Sequence, residues 1–211
     1  MIFSNRTQAA QLLAEKLAAF KGKNPLILAI PRGAVPMAKL IADALGGEFD
    51  VVLVRKLGAP GNPEFAIGAI DETGWAYLGP YAALAGADEG FIERAKAREL
   101  ETIRRRRAQY SPLHPPIDPQ GRIVIVVDDG LATGSTMLAA LHALRQRAPQ
   151  KLVCAVPVAP PDTLEKVGEQ ADETVCLYAP ENFQAVGQFY ADFGQVEDEE
   201  VIALLSERKK P

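Results

Sequence analysis

The chain has 211 residues, of which 48% are hydrophobic and 24% are charged, and this composition excludes disordered, collagen-like and low-complexity proteins. The 23 basic and 27 acidic residues give a net charge of −4, so no global positive field is present to attract nucleic acid. The apolar runs are strand-sized and far shorter than the roughly 20 residues of a membrane-spanning helix, so membrane association is not expected.

The amino-terminal residues and the cysteines bear on the compartment. Residues 1–6 have no basic start, no long apolar segment and no small-residue cleavage site, so we expect no signal peptide. Cys154 and Cys176 have neither CxxC spacing nor a nearby histidine, which argues against a zinc site and favours a reducing compartment over a disulfide scaffold. We therefore expect a cytoplasmic protein.

Hydrophobic periodicity predicts helices that alternate along the chain with short, continuously apolar strands. The predicted helices cover residues 5–20, 35–45, 88–110, 135–147, 162–170 and 198–208. The predicted strands cover residues 26–30, 50–54, 123–127, 152–158 and 174–178. Residues 65–70 and 75–78 are predicted to pair as a hairpin, whereas residues 57–63 are too rich in glycine and proline for regular structure.

These elements predict an α/β fold with a mostly parallel sheet flanked by helices, because strands that are apolar throughout are buried on both faces. No internal repeat or linker divides the sequence, so we expect a single domain over residues 1–211. Ligands of such sheets bind at the carboxyl ends of the strands. Functional residues are therefore expected directly after four strand ends, at Ile30, Val54, Val127 and Val158.

The strongest motif runs from Val124 to Met137 and reads VIVVDDGLATGSTM. It contains a buried strand, the adjacent carboxylates of Asp128 and Asp129, and a loop of small residues that opens a helix. Backbone N–H groups at a helix N-terminus bind phosphate, and threonine and serine hydroxyls add donors, while paired acids suit the hydroxyls of a sugar. No lysine follows Gly134 and no GxGxxG is present, which excludes a P-loop and a dinucleotide fingerprint. The alternative is an ordinary capped helix after a strand.

This run of four apolar residues, two acids and a loop of alanine, threonine, glycine and serine resembles the 5-phosphoribosyl 1-pyrophosphate (PRPP) signature of the type I phosphoribosyltransferases. The resemblance covers roughly residues 1–180 and implies that Asp128 and Asp129 hold the ribose 2′- and 3′-hydroxyls. It further implies that the 5′-phosphate binds to one loop, formed by Ala132, Thr133, Gly134, Ser135 and Thr136. Mg²⁺ would be bound mainly through PRPP, so no protein metal ligand is expected.

Two further strand ends carry basic residues. Arg32 and Gly33 follow the first strand, where a glycine lets the backbone approach a ligand closely and the arginine supplies a forked cation. The resemblance implies that this is the pyrophosphate loop, with an unusual peptide bond on one side of Arg32. It also implies that Arg55 and Lys56 reach pyrophosphate or the 5′-phosphate. The alternative is an ordinary turn with solvated charges in each case.

The surrounding sequences, IPRG, RKLG and FAIG, are similar to those of a bacterial subgroup of this family. The expected catalytic residues are Asp128, Asp129, Arg32 and Lys56. The expected pyrophosphate-binding residues are Arg32, Gly33, Arg55 and Lys56.

Residues 58–119 occupy the position of the family's mobile lid, and segments rich in glycine and proline suit hinged closure. The lid is unusually long, and its helix carries four consecutive arginines, 104–107, with Glu101 spaced to pair with Arg105. A solvated face or a subunit contact is favoured there over contact with pyrophosphate or nucleic acid. Residues 178–211 are expected to form a small hood, whose aromatic rings either stack on the acceptor or pack on the core.

One position bears on the acceptor. Family members that act on 6-oxopurines usually carry an acid just before the Thr-Gly of the loop, where this chain has Ala132. This departure disfavours hypoxanthine or guanine as the acceptor, although an acid from the lid, Glu64 or Glu72, could take the same role.

The sequence thus predicts a Mg²⁺-dependent phosphoribosyltransferase, a pentosyltransferase of nucleotide metabolism. It would transfer the 5-phosphoribosyl group from PRPP to a nitrogen acceptor, a nucleobase-like compound, with release of pyrophosphate. We expect the protein to form a homo-oligomer, namely a dimer. We do not expect it to bind nucleic acid. The first alternative is a non-catalytic regulator that senses PRPP or nucleotides and binds RNA through its arginine-rich helix. The second is a hydrolase with Asp128 as its nucleophile.

Overall fold

The structure is a computed structural model that describes residues 2–110 and 115–207 and, for Glu64, the backbone alone. Its helices are α1 (Arg6–Lys16), α2 (Val35–Leu45), α3 (Glu89–Tyr110), α4 (Ser135–Arg145), α5 (Pro161–Gly168) and α6 (Asp198–Ser206). Its strands are β1 (Leu26–Ala29), β2 (Glu48–Val51), β3 (Val54–Ala59), β4 (Asn62–Asp71), β5 (Ala76–Leu78), β6 (Ile123–Val127), β7 (Lys151–Val158) and β8 (Glu173–Tyr178).

A parallel sheet of five strands, in the order β2-β1-β6-β7-β8, lies at the centre of the fold. All of β1 is buried, as are residues 124–127 of β6, because helices cover both faces of the sheet. The helices α1 and α2 contribute to the hydrophobic core on one face, and α4 contributes to the core on the other. The predicted α/β class with a mostly parallel sheet is therefore confirmed.

A second, antiparallel sheet in the order β3-β4-β5 begins at Val54, four residues before the segment predicted as the lid, and continues into that segment. The predicted hairpin is confirmed, since Ile70 pairs with Ala76 across a turn. The prediction that Arg55 and Lys56 end the second strand was wrong, because β2 ends at Val51 and both basic residues lie inside β3. The apolar run that suggested one strand is divided between two sheets.

The prediction of irregular structure over residues 57–63 was also wrong for most of that segment. Gly58 and Ala59 belong to β3, and β4 already begins at Asn62. A Cβ added at Gly58 would lie 2.5 Å from the Pro63 carbonyl oxygen, so glycine lets the two strands approach here. The pairing register shifts at the same residue, which marks a bulge rather than a break in the hairpin.

The helix predictions are confirmed with small changes at the ends. Asn5 caps α1, since its side chain accepts a hydrogen bond of 3.0 Å from the backbone N–H of Gln8. The first helix is shorter than predicted, because α1 ends at Lys16 and residues 18–20 form a 3₁₀ turn. None of the described helices combines the length and the hydropathy of a membrane span.

The four consecutive arginines of α3, residues 104–107, have different surroundings. Arg107 pairs with both carboxylate oxygens of Glu72, with 2.8 Å from Nε to Oε1, and it also donates to the carbonyl oxygen of Val51. Burial opposes its charge, but the hydrogen bonds and the charge of Glu72 leave the pKa of Arg107 above its ordinary value. Arg104 and Arg105 are exposed. Among the described residues, Glu101 forms no ion pair with Arg105, although the spacing predicted one. One arginine of the run therefore ties the helix to the second sheet.

We expect Arg107→Met to lower the free energy of unfolding by about 1–3 kcal/mol, because the buried Val51 carbonyl and the exposed Glu72 carboxylate lose a charged donor whose own side chain is only 19% exposed. The matched control is Arg104→Met, which removes an exposed arginine from the same helix and should change stability by less than about 0.5 kcal/mol. Urea denaturation measures both values. Equal losses for the two variants would contradict this account of the helix.

Candidate active site

The candidate site lies where the order of the parallel strands reverses, between β1 and β6. The chain adds β2 on one side of β1 and then adds β6, β7 and β8 on the other. The pairing continues past the end of β1, since the Ile30 backbone N–H donates to the Val127 carbonyl oxygen at 3.0 Å. Ligands of open parallel sheets bind at this type of switch point, so the loops that follow β1 and β6 are placed for binding.

The loop after β1 contacts the acid pair after β6. The peptide bond between Pro31 and Arg32 is cis, at one of the two positions predicted for an unusual peptide. A Cβ added at Gly33 would overlap the Oδ2 oxygen of Asp129, so this position accepts only glycine while the aspartate keeps its place. Gly33 is therefore needed for the close approach of the two loops.

The predicted phosphate loop is held to β7 and α5. The Leu131 N–H donates to the Val158 carbonyl oxygen at 2.9 Å, and the Thr163 hydroxyl donates to the Ala132 carbonyl oxygen at 2.7 Å. Gly134 has φ +73°, in the left-handed region, and a Cβ there would lie 2.8 Å from the Thr163 methyl group. These two hydrogen bonds and the conformation of Gly134 therefore fix the backbone of the loop up to the N-terminus of α4.

Two hydroxyls of this loop contact each other, with 3.1 Å between Thr133 Oγ1 and Ser135 Oγ. The first turn of α4 begins at Ser135, and the first N–H groups of a helix have no acceptor inside it. The Ser135 N–H donates to Thr133 Oγ1 at 3.5 Å, so the loop combines the backbone donors of a helix N-terminus with hydroxyl donors, which is the arrangement that phosphate groups favour.

A cleft of about 340 Å³ opens above the loop. Its floor comprises Asp128 and residues 130–137, and its wall comprises Lys56, Phe65 and Ala66 of the second sheet. The structure thus brings together one predicted carboxylate, the whole predicted phosphate loop and one predicted lysine, which come from separate parts of the sequence.

The two carboxylates have different surroundings. Asp128 lines the cleft, and its Oδ1 accepts a hydrogen bond of 2.9 Å from the Asp129 backbone N–H. Among the described residues no cationic side chain pairs with it, and burial together with the charge of Asp129 raises the pKa of Asp128 well above its ordinary value. Burial also raises the pKa of Asp129, but Arg6 acts in the opposite direction. The charge of Asp128 is therefore the less compensated of the two.

Arg6 is a site residue that the sequence analysis did not identify. Its Nε and Nη2 lie 2.9 and 2.8 Å from Asp129 Oδ2, and both side chains are only 15% exposed. It is at the first position of α1, where the helix dipole disfavours a cation, and the first turn has no acidic residue. That unfavourable position is the one local signal that Arg6 serves a distant partner.

The other two predicted cations are paired with acids. Arg32 lies 3.1 Å from Glu197 and 3.9 Å from Asp198, at the start of α6. Arg55 lies 2.9 Å from Glu99 of α3. Arg32 follows β1 and Arg55 lies inside β3, and each contacts a carboxylate at or near a later helix.

The aromatic rings of the C-terminal segment pack on one another. Phe183 and Phe189 stack at 5.3 Å between ring centroids, and Tyr178 meets Phe189 edge-on at 5.8 Å. Tyr190 and Phe193 stack at 4.9 Å. Of the two alternatives for these rings, packing within the chain is the one that this arrangement favours.

Two acids of the predicted lid, Glu64 and Glu72, were considered as contacts for the acceptor, and the structure describes the side chain of Glu72 alone. Glu72 is engaged by Arg107, as given above, and the side chain of Glu64 lies outside the described residues. The described part of the chain contains no group of three histidine, cysteine or acidic side chains arranged to hold a metal ion.

We expect Asp128→Asn to raise the melting temperature of the ligand-free protein at pH 8. The pKa of Asp128 is raised in the folded state, so ionisation costs stability. The wild type has full stability below the unfolded pKa of about 4 and loses it as the pH rises through the folded pKa. Calorimetry at several pH values should therefore show an advantage for Asp128→Asn that disappears towards pH 4. A variant that is less stable at every pH would identify a structural carboxylate.

Comparison with known proteins identifies the family. The phosphoribosyl transferase domain model matches residues 3–193. A Mycobacterium tuberculosis protein named "Putative phosphoribosyl transferase Rv0571c" is 40% identical over 205 residues, which cover 97% of this chain and 46% of that protein. The chain thus spans about half the length of the curated relatives it matches. The crystal structure of TT1426 from Thermus thermophilus has a TM-score of 0.83 and 48% identity, with all of both chains covered. The chain belongs to the phosphoribosyl transferase domain family.

Proposed function

We propose that this chain is a phosphoribosyltransferase, a pentosyltransferase that transfers the 5-phosphoribosyl group of PRPP to a nitrogen acceptor and releases pyrophosphate. The observation that carries the proposal is the shared cleft of Asp128, Lys56 and the loop at 132–136. A sugar phosphate needs donors for its phosphate and acceptors for its hydroxyls, and this cleft presents both within 340 Å³.

The 5′-phosphate binds to the loop at 132–136. The N-terminus of α4 supplies backbone N–H groups and a favourable dipole, and Thr133 and Ser135 supply hydroxyls. The ribose hydroxyls donate to Asp128 and Asp129. Each of these hydrogen bonds is charge-assisted and therefore stronger than a neutral one.

The residues present fit a magnesium ion that arrives with PRPP. Asp128 is a carboxylate without a cationic partner among the described residues, and carboxylate oxygens are ligands that Mg²⁺ favours. Because the described chain has no three-ligand cluster, most of the coordination would come from PRPP and water. Bound there, the ion would supply charge neutralisation for the pyrophosphate.

Lys56, Arg32, Arg55 and Gly33 are the proposed pyrophosphate residues. Lys56 already lines the cleft, and Gly33 places the loop backbone against the acid pair. Arg32 would exchange Glu197 for pyrophosphate, which costs little because the pair is 26% and 57% exposed and exposed ion pairs contribute about 0–1 kcal/mol. Arg55 would exchange Glu99 for pyrophosphate, and the buried Glu99 carboxylate would keep its second ion pair, with Arg98 at 3.0 Å.

In the reaction the acceptor nitrogen forms a bond to C1′ as the bond from C1′ to the pyrophosphate oxygen breaks, with inversion at C1′. Positive charge develops on the ribose ring and negative charge on the leaving group. The chain contributes by holding the ribose at its hydroxyls and by placing cations beside the pyrophosphate. We propose that residues 58–119 act as the lid, because Phe65 and Ala66 of that segment line the cleft together with the loop.

The proposed acceptor is a nucleobase-like compound other than a 6-oxopurine. Ala132 supplies no acid in the loop, and the Glu72 carboxylate is occupied by Arg107. We place residues 178–211 as the hood beside this site, because Val186 packs within 2.6 Å of the Cβ position at Gly130. Both cysteines are free thiols, which supports a reducing compartment such as the cytoplasm.

The test is pyrophosphate release from Mg·PRPP across a panel of pyrimidines, purines and amines. We expect release with at least one acceptor and none with Asp128→Asn, while that variant stays folded. Failure of the wild type to bind PRPP would overturn the proposal. Tight PRPP binding without release for any acceptor would also overturn it and would identify a sensor built on the same fold.

We expect Thr133→Val and Ser135→Val each to weaken PRPP binding by about 1–3 kcal/mol, because each removes a hydroxyl donor to a charged phosphate and leaves the backbone donors. The matched control is Thr174→Val, because the Thr174 hydroxyl makes no hydrogen bond and lies on β8 outside the cleft. Isothermal calorimetry measures the three affinities. If all three variants bind PRPP alike, the loop is a helix cap without a ligand role.

A further inference from the structure

Asp129 is held from two sides by residues that are distant in sequence. Arg6 binds the Oδ2 oxygen of its carboxylate through Nε and Nη2, and the Tyr190 hydroxyl donates to its main-chain carbonyl oxygen at 2.7 Å. The Arg6 guanidinium also lies 3.9 Å from the centroid of the Phe193 ring, which stacks on Tyr190. These four residues form a closed ring of contacts, which we call the Arg6 ring.

The ring leaves one carboxylate oxygen of Asp129 available. Both guanidinium contacts end on Oδ2, the oxygen that also lies against Gly33. Among the described residues no side chain donates a hydrogen bond to the other oxygen, Oδ1. The side chain is therefore fixed at Oδ2, and Oδ1 keeps the capacity to accept a hydrogen bond from a ligand hydroxyl.

The ring also joins the C-terminal segment to the acid pair. Arg6 Nη1 donates to the Gly194 carbonyl oxygen, and the Phe3 backbone pairs with Phe189 and Ala191. The N-terminal residues thus hold the segment from 189 to 194 against Asp129. A carboxylate fixed before the ligand arrives loses less freedom on binding, which favours affinity.

Arginine is the residue type that this place requires. Its planar guanidinium donates one hydrogen bond to Oδ2 through Nε, forms an ion pair with the same oxygen through Nη2, donates a second hydrogen bond to Gly194 and lies against the Phe193 ring. A lysine would keep the charge but not this geometry. We infer that Arg6 is a positioning residue for the ribose-binding carboxylate Asp129 and that it couples the C-terminal segment to PRPP binding. This inference rests on the proposed function.

The chain offers a matched control at the opposite end of the same strand. Arg122 directly precedes β6, pairs with Glu48 at 2.6 Å and donates to the Asn24 carbonyl oxygen at 2.9 Å. Its side chain is 20% exposed, close to the 15% of Arg6. Arg122→Met therefore removes the same kinds of contact as Arg6→Met, away from the candidate site.

The experiment measures the Mg·PRPP dissociation constant by calorimetry at a temperature where every variant is folded, together with melting temperatures. Arg6→Met should weaken PRPP binding about tenfold or more, which corresponds to the loss of a charge-assisted contact, and Arg122→Met should leave it unchanged at a similar loss of melting temperature. Arg6→Lys should fall between the wild type and Arg6→Met. In an Asp129→Asn background Arg6→Met should cost much less affinity, because the two residues act through one contact.

Equal PRPP affinities for Arg6→Met and Arg122→Met would overturn the inference while leaving the proposed function intact. Absence of PRPP binding by the wild type would overturn both. If Arg6→Met does not fold, Phe193→Leu takes its place, because it removes the aromatic side chain that lies against the guanidinium while Arg6 itself stays. Hydrogen exchange of residues 190–196 should then be faster and PRPP binding weaker, and wild-type values of both would contradict the coupling.

Discussion

The parallel pairing of β1 with β6 is the constraint on which the candidate site depends. It places the end of one strand beside the end of the other, so Gly33 meets Asp129 although they lie far apart in the sequence. The remaining parts are arranged around that contact. The proposed phosphate loop continues from β6, the second sheet supplies Lys56 to the wall of the cleft, and α1 supplies Arg6.

The adjacent aspartates illustrate how surroundings divide the work of two identical side chains. Asp129 has a cation, a tyrosine hydroxyl and a glycine around it, so its place is fixed before any ligand arrives. Asp128 faces the open cleft with a raised pKa and no cationic partner among the described residues. A shifted pKa of a residue that lines a cleft is typical of functional sites, and Asp128 has both the shifted pKa and the position in the cleft.

Much of this molecule could be predicted from local sequence, because apolar strands and capped helices are encoded within a few residues. The run from Val124 to Met137 indicated both the strand and the phosphate loop, and the Asp128 position in the cleft agrees with it. The break between β2 and β3 could not be seen, since the apolar run at 50–54 contains no glycine or proline to mark it.

Long-range partners were beyond the reach of the sequence. Arg6 lies 123 positions from Asp129, and Glu197 lies 165 positions from Arg32. No periodicity or spacing connects such pairs, because they depend on how the ends of the chain close over the sheet. The basic residues Arg32, Arg55 and Lys56 were therefore predictable as candidates, while the acids that pair with Arg32 and Arg55 were not.

The contact between Gly33 and Asp129 has a consequence for the history of the sequence. A side chain at position 33 would require the carboxylate at 129 to move, so the two positions are free to vary only together. A lineage that kept the fold but lost the carboxylate at 129 would also lose the pressure for glycine at 33. An alanine or serine there would thus report relaxed selection on the proposed sugar site, even where the acid at 128 persists.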